Sequence, residues 1–478
     1  MMIFGYHSLK LFLLSCFLIV GLAVHVNAQT LYPGVYIEET NPTVTSIAQV
    51  ETAIPAFIGC TQRGPIMQPT PITNLAEFEQ IFGGPEKAKI AIEVGSSISS
   101  TISLDNNGIL HYTLAQYFQN GGGPCFITSI GSFGTANSSK FLTALNTLED
   151  VDEPTLVLLP EAAYLDKDAY GQVVQAALAH CRQRQDRFGI FDYFYPNIAG
   201  PLNNQDYNRI SVESFRQSIG SNNLSYGAVY TPYLQTQIPY AYNGKQVTVR
   251  LSKDSKTIKP ASLVEIKKTN PKLYSKIKTH LAKQCIVLPP SSSVAGIYCK
   301  VDESNGVWKA PANVQILGIS APIRSISDTE QGALNIDVNT GKSINTIRTF
   351  TGQGTLVWGS RTLAGNDNEW RYVPIRRLFL AVEESIQKGT TFAVFEPNDK
   401  NTWNSLKMVI ESYLTNLWRE GALSGTTPDE AFYVRVGLGE TMTQNDLDQG
   451  RLIIEIGMAT VRPAEFIMLR IQHKMHTP

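Results

Sequence analysis

AGIYCKVDESNGVWKAPANV, residues 295–314, begins on an apolar run and closes on a turn-rich stretch anchored by Trp308, with Asn305, Gly306 and Pro311 around it. Short apolar runs bounded by turn residues fit a buried strand, so Ala295 to Cys299 is expected to be extended. No common catalytic motif has this arrangement. Working outward, the chain carries INTIRTFTGQGTLVWGSRTL from Ile344, EWRYVPIRRL from Glu369 and FEPNDKNTWNSL from Phe395. Upstream lie YPGVYIEE from Tyr32, FIGCTQRGP from Phe57, FEQIFGG from Phe78 and YFQNGGGPCF from Tyr117.

Together, and in this order, these stretches resemble the contractile tail sheath family, above all the sheath subunits of extracellular contractile injection systems and of contractile-tailed phages. The likeness covers nearly everything after residue 30, with gaps in the middle. It implies a polymer-forming mechanical protein that stacks in rings around an inner tube and shortens on release, without a cofactor. The implied partners are further copies of the chain, the inner tube protein, baseplate and terminator or cap proteins, and sheath paralogues. It also implies a subtilisin-like central domain, a C-terminal domain facing the tube, a middle insertion facing outward, and terminal arms exchanged between subunits. Assembly is then expected in the cytoplasm, into a tail-like particle that can be released. The motif positions carried over as structural or interface residues are Asp302, Trp308, Arg348, Trp358, Arg361, Trp370, Arg376, Arg377, Glu396 and Trp403.

Length and charge bound the problem independently. At 478 residues the chain exceeds one ordinary core and is expected to divide into two or three domains. Lys plus Arg total 40 against Asp plus Glu 41, a net charge of -1, so no global field recruits nucleic acid or a membrane, and neither is expected as a partner. The six cysteines, Cys16, Cys60, Cys125, Cys181, Cys285 and Cys299, form no C-x-x-C pair and read as reduced thiols. The first 28 residues point elsewhere. Lys10, the 14-residue apolar run LFLLSCFLIVGLAV and Val26-Asn27-Ala28 have the layout of a secretory signal. A misassigned upstream start and a genuine export signal both fit, and removing the segment leaves five cysteines, an odd number for a disulfide framework.

The expected fold is α/β: a signal-like leader over 1–28, an arm and N-terminal sheath region over 29–150, a central doubly wound domain over 151–364, and a C-terminal α+β domain over 365–478. Tyr32, Val35, Tyr36 and Ile37 alternate along a strand at the chain start, and Phe466, Ile467, Leu469 and Ile471 do so at its end. A terminal strand without a local neighbour is a candidate for completing another subunit's sheet. Asn74 to Phe82 has helical spacing, an Asn cap and a Gly83-Gly84 stop. A helix through Leu114 to Phe118 ends at three glycines, and CFITSI follows as a strand. TLVLLP, a helix over Tyr170 to Arg184, FGIFDYF, a helix near Ser211 and YGAVYTPYL alternate as a parallel layer requires. The segment of about 235–284 holds ten lysines and Arg250 against Asp254 and Glu265; it is read as a solvated surface insertion that carries little core, or as a contact for an acidic partner. A helix from Thr402, capped by that threonine and stopped at Gly421, precedes two terminal strands, from Arg451 and from Ala464.

The chemistry of a nucleotide motor or hydrolase finds no motif. Gly341-Lys342-Ser343 lacks the glycine a phosphate loop needs five positions before Gly341, where Ile336 stands. The histidines cluster only as His473-x-x-His476, too few ligands for a metal. Ser424, in GALSGT, is no nucleophile elbow. Asp302 beside Glu303, and Glu383 beside Glu384, read as solvated charges, since sequence neighbours diverge in helices and strands. No catalytic, cofactor or metal residue is assigned. The rival readings are a secreted α/β hydrolase, which would need a Ser or Cys nucleophile in a strand-turn-helix elbow, and a carbohydrate-binding module. Arg348, Arg361, Arg371, Arg376, Arg377 and Arg419, with Trp358, Trp370, Trp403 and Trp418, are the residue types that dominate interface hot spots; Glu396 and Asp399 are candidate partners for Arg376 or Arg377.

Overall fold

A computed structural model of the chain describes residues 46–194, 212–253, 256–257, 260–466 and 468. The leader and the N-terminal arm lie outside these residues, as do Ile467, Leu469 and Ile471.

Nine strands form the main sheet. Their spatial order is Val314–Gln315, Gly354–Val357, Asn345–Phe350, Gly227–Thr231, Phe188–Asp192, Leu156–Leu158, Pro55–Gly59, Cys125–Ser129 and Thr70–Ile72. The six from Asn345–Phe350 to Cys125–Ser129 run parallel, and the outer strands close the sheet antiparallel. Pro55–Gly59, Phe188–Asp192 and Gly227–Thr231 are buried at every position, so their apolar runs show no alternation, as expected of strands covered on both faces. This is the doubly wound α/β layer that the alternating pattern predicts. It does not stop at residue 150, because Pro55–Gly59 and Cys125–Ser129 hydrogen-bond into the same sheet as the strands of the central segment.

Helices cross between the parallel strands. Leu110–Gln119 packs on Ser291–Asn305, and Ser138–Thr147 on Lys167–Arg184. The stretch beginning at Ala295 is therefore helical, and the expected strand is corrected. The cause is burial: Ser291 to Cys299 are enclosed on all sides, so the helix has no polar stripe to give it a 3.6-residue period. Gly296 lets the two helices approach, since a Cβ there would stand 2.5 Å from the Tyr117 carbonyl oxygen. Gly306, at φ 86°, ends the helix. Leu75–Phe82 forms with Asn74 as its cap and Gly83 at its C-terminus, as its local signals require.

The basic segment departs from expectation. Thr248–Lys253 pairs in parallel with Lys89–Val94, which pairs with Ile98–Ser103. Helices Leu263–Thr269 and Pro271–Leu281 cover this sheet, burying Leu263, Ile266, Ile277 and Leu281 with Ile90, Ile92, Val249 and Tyr112. It is a second core assembled from two distant parts of the chain rather than an insertion lacking one.

A third core holds the C-terminal region. Helices Val373–Gly389 and Lys400–Arg419 bury Leu378, Val382, Ile410, Leu414 and Leu417, with Val307 and Ile47 brought in from earlier segments. The cap of the long helix is Asp399, whose carboxylate accepts from the N–H groups of Asn401 and Thr402, so the threonine cap is corrected by one turn. Of the two expected terminal strands, the first forms as Glu455–Met458, paired antiparallel with Phe432–Arg435; residues 461–466 are in no strand, and most of the second expected strand lies outside the described residues. The five described cysteines are free thiols, four of them buried.

Candidate assembly interface

Two ion pairs tie the C-terminal region together with the earlier part of the chain, one through helix Ser291–Asn305 and one through the turn after Gly354–Val357. Arg377, on helix Val373–Gly389, donates to both carboxylate oxygens of Asp302 at 3.0 and 2.5 Å and to the Thr52 carbonyl at 2.9 Å. Thr52 Oγ1 donates to the same carboxylate, and the guanidinium lies 4.7 Å from the Tyr298 ring centroid. Only 3% of the Arg377 side chain and 5% of the Asp302 side chain remain exposed, so Asp302 is not the solvated charge expected of it. Nor do Glu396 and Asp399 reach Arg376 or Arg377: Asp399 is occupied as a helix cap, and Glu396 is exposed on the loop before it. Glu384 is likewise buried and pairs with Lys388 at 2.7 Å.

The second pair is Arg361 with Glu465. Three hydrogen bonds of 2.9, 3.1 and 2.5 Å join them, and Asn335 and Tyr372 donate to the same carboxylate. Burial pushes Glu465 upward, but the hydrogen bonds from Arg361 and Asn335 and the arginine charge outweigh it and hold the carboxyl below its ordinary value. Sequence reading missed Glu465. It is the second residue of the expected terminal strand, but its partner is 104 residues away, beyond any spacing rule. The chain is thus tied down immediately before Phe466, which is 67% exposed.

The remaining motif residues are placed singly. Arg376 stacks between Tyr226 and Trp370, 4.2 and 4.5 Å from their centroids. Arg348 bonds Gln331 and Asp328, and Trp358 packs on Phe350. Trp308 joins the C-terminal core, while Trp403 is buried with its indole N–H donated to Asn398. These arginines and tryptophans serve contacts within the chain.

Beyond the anchors lies the two-stranded ribbon of Phe432–Arg435 and Glu455–Met458. Among the described residues neither strand has a third strand beside it. A groove of about 700 Å³ separates Phe432–Arg435 from helix Lys400–Arg419, lined by Lys407, Glu411, Phe432, Tyr433 and Arg435.

The sites where chemistry would reside are filled by structure. Doubly wound sheets bind ligands beyond the strand C-termini where the winding reverses, here between Pro55–Gly59 and Leu156–Leu158. That place holds the buried carboxylate of Glu161, accepting from the Cys60 and Leu110 N–H groups at 2.5 and 3.0 Å. Burial pushes Glu161 up to about 7. Ser291 is enclosed as well, its hydroxyl donated to Asp192 at 2.6 Å. Lys342 is buried with its ammonium on the Arg216 carbonyl, and the Gly341-Lys342-Ser343 turn leads into a strand rather than a helix.

Residues 365–474 match the phage tail sheath C-terminal domain. The chain is 30% identical to the sheath protein of the extracellular contractile injection system PVC in its contracted state, covering 93% of this chain and 98% of that one with a TM-score of 0.65. The chain belongs to the contractile tail sheath family. A second sheath, that of the anti-feeding prophage in its contracted state, is also 30% identical, with a TM-score of 0.63 over 92% of this chain and 99% of that one. The tail sheath protein of Vibrio phage KVP40 is 26% identical over 186 residues, 38% of this chain and 26% of that protein. That of Burkholderia phage BcepMu is 28% identical over 142 residues, 29% of each. The chain thus matches well under half the length of these phage relatives. As a sheath protein it is a structural subunit, and no observation of the fold favours the hydrolase or the carbohydrate-binding module.

Proposed function

We propose that this sheath subunit polymerises as stacked rings around an inner tube, is held extended by tube and baseplate, and contracts to drive the tube through a target envelope. The observation that carries the proposal is the likeness to contracted injection-system sheaths over more than nine-tenths of both chains. Cap proteins and sheath paralogues are further partners, and assembly takes place in the cytoplasm before the particle acts. Within this reading the region of 365–478 faces the tube, the basic module of about 235–284 faces outward, and the doubly wound layer is of subtilisin-like type. No bound cofactor is needed, because work comes from a bistable lattice whose contracted contacts exceed its extended ones.

The links between subunits are main-chain ones. The two-stranded ribbon supports this, since each strand has an outer edge free among the described residues. The Arg361–Glu465 anchor supports it too, because it holds the root of a C-terminal arm while leaving Phe466 outward. Tyr32 to Ile37 and Phe466 to Ile471 are the arms, each completing a neighbour's sheet with bonds of roughly 0.5–1.5 kcal/mol net. Proline removes a donor from such a ladder. Val35→Pro or Ile467→Pro is expected to leave thermal melting of the subunit unchanged while abolishing tubes in negative-stain electron micrographs. Normal, contractile tubes from either variant would assign those segments to their own subunit.

A further inference from the structure

The chain's near-neutral total conceals a concentrated charge. Residues 235–284 carry ten lysines and Arg250 against two acids, a local charge of +9, so the rest of the chain carries -10 within the total of -1. Folding converts this composition into a fixed array. Helix Pro271–Leu281 turns Leu273, Ile277 and Leu281 inward at four-residue spacing and packs against Ile98–Ser103, with His280 and Ser100 3.0 Å apart. Its other face presents Lys272, Lys276 and Lys278 to solvent, continued by Lys267 and Lys268 from the preceding helix and by Lys283 beyond its end. Among the described residues, none of Lys268, Lys272, Lys276, Lys278 and Lys283 has a carboxylate partner. Arg250 leans toward Glu93, and Glu265 is engaged in the capping box of Ser262.

The composition of the face narrows the partner. Protein interfaces place aromatic and aliphatic anchors at their centre and exclude lysine from it, yet no large apolar side chain described in this module is exposed. Single-stranded nucleic acid is gripped by stacking aromatics, and base edges are read by bidentate arginine. Here Tyr274 is half-buried, with Lys267 5.8 Å from its ring centroid, and the one arginine faces Glu93. Compact ammonium charges on flexible stems, set on a convex helical face over a rigid sheet, suit a plane of lipid phosphates.

We propose that the lysine face of helices Leu263–Thr269 and Pro271–Leu281 is an electrostatic docking surface for an anionic phospholipid bilayer. The inference does not depend on polymerisation, which would only multiply the array and add avidity. The test is co-sedimentation of the full-length chain with vesicles of phosphatidylcholine alone and of phosphatidylcholine mixed with phosphatidylglycerol, at low and high salt. Binding is expected only with phosphatidylglycerol, and it should weaken with salt as Debye screening shortens. Lys268→Gln/Lys272→Gln/Lys276→Gln should lower vesicle partitioning roughly a hundredfold, at about fivefold per lysine, with melting unchanged because all three side chains are exposed. Lys87→Gln/Lys300→Gln, outside the face, is the control and should bind as wild type. Failure to bind anionic vesicles, equal loss in the control variant, or capture of duplex DNA at salt concentrations where vesicles are released would each overturn the proposal, the last in favour of nucleic acid.

Discussion

Replacing Arg377 by methionine tests the buried pair with Asp302, one of the two anchors of the C-terminal region. The substitution removes both hydrogen bonds to Asp302, the bond to the Thr52 carbonyl and the contact with Tyr298, leaving a carboxylate that is 5% exposed with Thr52 Oγ1 as its remaining side-chain donor. An uncompensated buried charge of this kind costs about 3–5 kcal/mol. Removing the partner as well should recover most of that, because an apolar pair of similar volume is often neutral or stabilising by about 1–4 kcal/mol relative to the ions. Arg377→Met and Asp302→Leu should therefore each destabilise strongly, while the double variant lies close to wild type. Urea unfolding followed by tryptophan emission reads this, since Trp308 packs against the C-terminal core. A single-variant loss below about 1 kcal/mol, or a double variant whose loss equals the sum of the singles, would refute the anchor.

Three further outcomes are expected. Burial raises Asp192 from 3.8 to about 7 against the opposing hydrogen bonds from Ser291, so its contribution to stability is full below the unfolded value and is lost as pH rises through about 7. Asp192→Asn can keep both bonds to Ser291, and its melting temperature relative to wild type should rise between about pH 5 and pH 8; a pH-independent difference would contradict this. Asp399→Ala should cost about 1 kcal/mol in urea unfolding, whereas Thr402→Ala should be near neutral, and equal losses would deny the cap to Asp399. Replacing Gln235–Gln284 by a short linker should give insoluble protein, because it strips Val249, Leu263, Ile266 and Ile277 from the core that also covers Ile90 and Ile92; soluble subunits that assemble would show the module to be dispensable.

Much of the secondary structure was legible because its causes are local. Asn74 and Gly83 mark the ends of their helix within one turn of it, and the continuous apolar runs of Pro55–Gly59 and Phe188–Asp192 announce strands buried on both faces. The same logic failed where burial was complete. Ser291 to Cys299 are enclosed by the sheet and by helix Leu110–Gln119, so this part of the helix lacks the polar face by which a helix is recognised. The family could be read from motif order, but the partners of the motif residues could not. Asp302 reads as a solvated charge until Arg377 is brought to it, and Arg361 as a hot-spot candidate until Glu465 arrives.

Residue type and spacing sufficed for the family, the parallel α/β layer and the reduced state of the described cysteines, because each is written in short stretches of chain. Only the tertiary structure decided that the basic segment closes a core with Lys89–Ser103, that Glu161 fills the crevice at the winding reversal, and that two arginines anchor the C-terminal region. Propensities, caps and turns act through neighbouring backbone groups, whereas the two arginine anchors join residues 75 and 104 positions apart. Which charge meets which at that separation is set by how the sheet winds.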